Sequence, residues 1–117
     1  MTTTQQLGQV VAERRFEAVA GDGARTPVTV LIGAPVPDPT AGGDWFCPHR
    51  VDGLGDDSVG GAFGVDSLQA LLLSVHALRL GLDQRAEEAS VRLEWLGLPH
   101  TGLTVDPAPY LGLRPRD

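Results

Sequence analysis

The chain has 117 residues, 42% of them hydrophobic, which suits a single domain with one modest core. Its net charge is −6, with fifteen acidic residues against nine basic ones, and the basic residues are all arginine. A chain without clustered positive charge lacks the electrostatic footprint of a nucleic-acid binder, and one without lysine can build neither a Schiff base nor a P-loop. No apolar run approaches the roughly 18 residues that a membrane span requires. The opening Met-Thr-Thr-Thr-Gln-Gln has neither the basic start nor the apolar stretch of a secretion signal, so a cytoplasmic location is expected. The lone Cys47 excludes an internal disulfide. The absence of lysine and asparagine suits a high-GC bacterial genome. Acidity alone speaks to solubility, or to a basic protein partner, and not to fold.

Residues 1–8 are polar and are expected to be disordered, with a single domain over 9–98. Val10, Ala12, Phe16, Ala18 and Ala20 alternate with Glu13, Arg15 and Glu17, the period of a half-buried strand over residues 9–20. Arg14 is the one polar residue on the inner side of that alternation. Gly21-Asp22-Gly23 signals a hairpin, and Val28, Val30 and Ile32 mark a returning strand over 26–34. Residues 35–43 hold Pro35, Pro37 and Pro39 and read as a loop. A third strand over 44–52 alternates Trp45, Cys47, His49 and Val51 with Phe46, Pro48 and Arg50, and Pro48 predicts an edge or a bulge. A weaker strand follows at 58–63. At Val65 the period changes from two to 3.6, which predicts a helix over 66–86. Asp66 or Ser67 can cap it, and Asp66-x-x-Gln69 resembles a capping box. Val91, Leu93 and Trp95 suggest a last short strand. Residues 99–117 are rich in proline and glycine and read as an irregular tail pinned by Leu103, Tyr110 and Leu111. Strands without intervening helices pair antiparallel. The expected fold is a two-layer α+β domain, an antiparallel sheet of four to five strands packed on one main helix.

On the helix, Leu68, Leu71, Val75, Leu78 and Leu82 form a core stripe. Ala70, Leu73, Ala77 and Leu80 form a second stripe, separated from the first by Gln69, His76 and Asp83 with Arg79 beside them. A helix on a sheet needs one apolar face. The second therefore predicts an interface, either with another chain as in a homodimer or with the C-terminal tail.

The constellations suited to chemistry are sparse. Cys47 and His49 face the same side of an extended strand about 6–7 Å apart, which is long for a direct thiolate–imidazolium pair. A metal there would need further ligands, and neither His76 nor His100 has ligand spacing, so no metal or cofactor is expected. Gly53-x-Gly55-x4-Gly60-Gly61 lacks the flanking strand and helix of a phosphate loop. Asp52, Asp56 and Asp57 read as a solvated acidic turn. Trp45 and Trp95 read as core or rim aromatics. Gly64-Val65-Asp66-Ser67-Leu68 resembles the phrase in which acyl carrier proteins present their phosphopantetheine serine, which implies Ser67 as an attachment point. The strands ahead of it contradict a carrier fold, and a helix cap explains the same residues.

Trp45-Phe46-Cys47-Pro48, Gly53, the run from Gly64 to Leu71 and Trp95-Leu96-Gly97 together resemble a small bacterial family known only as a domain of unknown function. The resemblance spans residues 10–105. It implies that the Asp66-Ser67 phrase belongs to this fold, and it implies no catalytic residues. The expected function is a non-catalytic cytoplasmic protein-binding module, an immunity-like or accessory protein. The alternatives are a small enzyme or ligand-binding protein using Cys47, His49 and Asp66, and a carrier-like protein modified at Ser67.

Overall fold

The computed structural model describes residues 6–38 and 44–103. The expectations for the first five residues, the tip of the proline loop and the tail beyond Leu103, with Tyr110 and Leu111, lie outside the described residues. One antiparallel sheet carries one helix, as the change of period predicts. The strands are β1 (Val10–Ala20), β2 (Arg25–Gly33), β3 (Val36–Asp38), β4 (Asp44–Asp52), β5 (Gly60–Gly64) and, after the helix α1 (Ser67–Glu88), β6 (Val91–Glu94). All six belong to one sheet, in which β4, β2, β1 and β6 are successive neighbours.

β4 is the hub of this sheet. His49 pairs with both Ile32 of β2 and Gly60 of β5, and Trp45 pairs with both Pro37 of β3 and Gly64 of β5. Thus β2 and β3 run in line along one side of β4, and β5 lies along the other. Of the two expectations for Pro48, an edge or a bulge, the edge is corrected: Pro48 is fully buried in a central strand. The β2–β3 side leaves no residue opposite Cys47 and Pro48, because the chain jogs there between Gly33 and Val36. The proline stands beside that break in the ladder, with Gly61 opposite it on β5. The short strand β3 was expected to be loop. It is an edge segment of three residues, and such an edge tolerates Pro37. Leu7 crosses over Gly33, where a Cβ would collide with its carbonyl, and the Ala34 amide donates to the Gln9 carbonyl at 2.8 Å. The chain is thus tied to the sheet from Leu7, ahead of the expected domain start.

Helix α1 leaves the sheet at one edge, after β5, and returns at the other, into β6. It must cross about four inter-strand spacings, roughly 19 Å, and its 22 residues supply about 33 Å. It runs diagonally as a result. Its buried residues are Ala70, Ser74, Leu78, Leu82 and Ala86, one every fourth position. Such a line drifts about 40° around the helix at each step, so the buried side turns as the helix crosses the twisted sheet. The core beneath it is Phe16, Ala18, Val28, Val30, Cys47, Val51 and Leu93. After β6 the chain turns sharply at Leu96 and Gly97, both with positive φ, and Trp95 and Leu98 exchange backbone hydrogen bonds across the turn.

Candidate functional site

Cys47 and His49 do face the helix side of β4 together, as alternation requires. Facing them from α1 is Ser74, which is fully buried. Its hydroxyl donates to the Cys47 carbonyl at 2.9 Å and lies 2.9 Å from His49 Nδ1. A carbonyl only accepts, so both contacts are hydrogen bonds when the imidazole donates from Nδ1. That arrangement leaves Nε2 as the bare nitrogen, close against Gly60. Ser74 is therefore an acceptor from His49 and not a hydroxyl activated by it, and burial closes it to substrate. Burial, followed by the positive charge of Arg85, holds the His49 imidazole below its ordinary pKa. The Cys47 thiol is fully buried and contacts the Gly33 carbonyl at 3.5 Å. Burial pushes its pKa up, which works against a reactive thiolate.

Asp66 is not part of this cluster. It is the N-cap of α1, with extended backbone, and its carboxylate accepts from the Gln69 amide at 2.7 Å. Gln69 reaches back to the Val65 amide at 2.8 Å, one residue further out than in the usual capping box. Ser67 is exposed at the first helical position. Gly64 is needed for space: a Cβ there would strike the backbone of Ala70 in the first turn of α1. Gly64, Asp66 and Gln69 of the carrier-like phrase thus have structural roles in this fold. The acidic turn is also occupied. Asp52 pairs with Arg50 at 2.8 Å, and Asp56 pairs with Arg85 at 3.8 Å. No group of metal-ligating side chains comes together among the described residues.

The two helix stripes are redistributed by the diagonal crossing. Leu68, expected in the core, is 61% exposed. Ala70, expected at an interface, is fully buried against the sheet because Gly64 admits it there. Leu73, Ala77 and Leu80 remain on the outer face as expected, with Leu73 43% and Leu80 53% exposed.

The diagonal also leaves one corner of the inner sheet face open, where Ala12 and Arg14 of β1 and Ile32 of β2 lie. The segment after Leu98 returns across it. The Arg14 guanidinium stacks 3.8 Å over the Trp95 ring and donates to the Thr101 carbonyl at 3.0 Å. Gly102 has φ +67 and sits so close to Trp95 that a Cβ would lie 2.5 Å from the ring. Between this corner, Leu103 and the flank of α1 formed by Leu71, Val75 and Arg79 lies a groove of about 620 Å³. Arg79 also borders a second groove of about 440 Å³, which mixes Asp83 and Glu87 with Arg92 and His100. Sequence reading missed the first groove. Its one legible signal was Arg14, a polar side chain on an otherwise apolar strand face.

The fold is that of a small α+β domain, in which Cys47 and His49 pack beneath α1 and Asp66 caps it. A family profile described as Domain of unknown function (DUF6968) matches residues 12–105, and the chain belongs to that family. The chain matches no curated protein and no solved structure. No helix among the described residues is long and apolar enough to cross a membrane.

Proposed function

We propose that the domain is a cytoplasmic, non-catalytic binding module that pairs with a second copy of itself through the outer face of α1. The observation that carries this reading is the charge of that face. Residues 67–82 contain no aspartate or glutamate in a chain of net charge −6. Two copies of an acidic chain meet with least repulsion where neither presents carboxylates. Leu73, Ala77 and Leu80 stand on that stretch at i, i+4 and i+7, the spacing of a two-helix seam. The hydrogen bonds of Ser74 and the burial of Cys47 support a non-catalytic role, because they close the best candidates for chemistry. The acidic remainder of the surface is then left to meet a basic protein, as an immunity-like or accessory protein would.

Light scattering on the full chain tests the pairing. The expected mass is that of two chains, and Leu73→Glu with Leu80→Glu should give a folded single chain with unchanged circular dichroism. A one-chain mass for the unmodified protein at every concentration would refute the reading. Unfolding of the double variant, beside a one-chain native protein, would show that the stripe is covered from within the chain.

A further inference from the structure

The groove at the open corner of the sheet has an unusual charge environment. Arg15, Arg25, Arg50, Arg85 and Arg92 each lie at salt-bridge distance from a carboxylate. Arg14 and Arg79 have no such partner among the described residues, although acidic residues outnumber basic ones in this chain, fifteen to nine. Both line the same groove, and the rest of its wall is largely aliphatic. Arg14 spends one donor on the Thr101 carbonyl and its face on Trp95. Among the described residues the Arg79 guanidinium makes only a long contact, donating to His76 Nδ1 at 3.4 Å. A guanidinium carries five N–H donors in a planar fork, so both retain donors for an anion. The fork matches a carboxylate, and the attraction strengthens where apolar walls exclude water.

We propose that this groove binds an amphipathic carboxylate, with its apolar body between Leu71, Val75, Ile32 and Leu103 and its carboxylate held by Arg79 and Arg14. The volume lies in the usual range for small-molecule sites, which pair mostly apolar walls with a few placed polar groups. The second groove does not share this character, because Asp83 and Glu87 line it alongside its basic residues. The site is separate from the outer helix face, so it goes beyond the pairing proposed above and does not depend on it.

Calorimetric titration of the full chain with decanoate, and with decanol as the uncharged match, tests the assignment. Decanoate should bind, with decanol weaker by about tenfold or more, the scale of one charge-assisted hydrogen bond. Arg79→Gln should weaken decanoate by a similar factor and leave decanol unchanged. Arg79→Lys should recover only part of the loss, because an ammonium cannot match the carboxylate fork. Arg14→Gln should act in the same direction, but it also removes the stack on Trp95. Arg79 is therefore the deciding position, with circular dichroism as the check on folding. Equal affinity for decanoate and decanol, or decanoate binding that Arg79→Gln does not change, would overturn the carboxylate site. Failure of both probes to bind would also overturn it.

Discussion

At the scale of single residues, the arrangement around His49 makes the fold sensitive to acid. The imidazole is partly buried, donates to Ser74 and has its pKa lowered by burial and by Arg85. In the unfolded chain it titrates near its ordinary value of about 6.5. At pH 7 and above both states are neutral, and the full stability is present. As pH falls below about 6.5 the unfolded chain takes up a proton that the folded chain resists, so stability declines until the lower folded pKa is reached. Denaturant unfolding between pH 7.5 and 5.5 should show this decline. His49→Asn keeps a donor to Ser74 without a titrating group, and it should flatten the decline. An unchanged slope in that variant would place the effect elsewhere. A second loss should follow at more acid pH. Glu94 is held below the usual carboxylate range by hydrogen bonds from Arg92 and Arg25, and Asp56 by hydrogen bonds from Ser58 and the charge of Arg85. Their contribution is present above the ordinary carboxylate pKa and disappears as pH falls through their depressed values.

At the scale of elements, the junction between β5 and α1 shows why Gly64 through Ala70 reads as a phrase. Asp66 caps the helix, Gln69 ties back to Val65, and Gly64 and Ala70 are small because the edge strand and the first helical turn touch. Gly64→Ala puts a methyl group against the Ala70 backbone, which cannot rotate away. A destabilisation of about 1–3 kcal/mol is expected, the usual cost of overpacking, measured as a lower denaturant midpoint with unchanged slope. A neutral result would mean that the helix shifts freely on β5. The cap was legible in the sequence because it is local, with every partner inside seven residues. The strands of Phe16, Val30 and Val51 were legible because these buried residues alternate with more exposed neighbours such as Arg15, Glu17 and Arg50. The side of the helix that meets the sheet was legible where Leu78 and Leu82 are buried and Leu71 and Val75 pack against the core, and not in the first turn. A stripe drawn on a straight cylinder puts Leu68 inside and Ala70 outside, and the diagonal crossing reverses both. The central place of Pro48 was also hidden, since it depends on a break between β2 and β3 that only pairing reveals. The groove depends on Arg14 meeting Thr101 and Gly102, a contact between distant parts of the chain that no window of sequence contains.

At the scale of the whole molecule, the carboxylates are unevenly placed along the chain. Exposed arginines and carboxylates pair across the sheet surface, as Arg25 does with Glu17 and Glu94. Such exposed pairs add little stability, but they leave the acidic excess spread over the remaining surface and the helix stretch 67–82 free of carboxylates. If two copies bury Leu73 and Leu80 against each other, unfolding becomes coupled to dissociation. Mass action then ties the thermal midpoint to concentration. Above the dissociation constant, each tenfold rise in protein concentration adds about 0.7 kcal/mol per chain, which for a domain of this size raises the midpoint by roughly 3–5 °C. The Leu73→Glu, Leu80→Glu variant has no partner to lose, so its midpoint should stay constant over the same range. A native midpoint that is equally constant would mean that the outer helix face contributes nothing through self-association, and the acid-free stretch would then have to be read as the contact for a different protein.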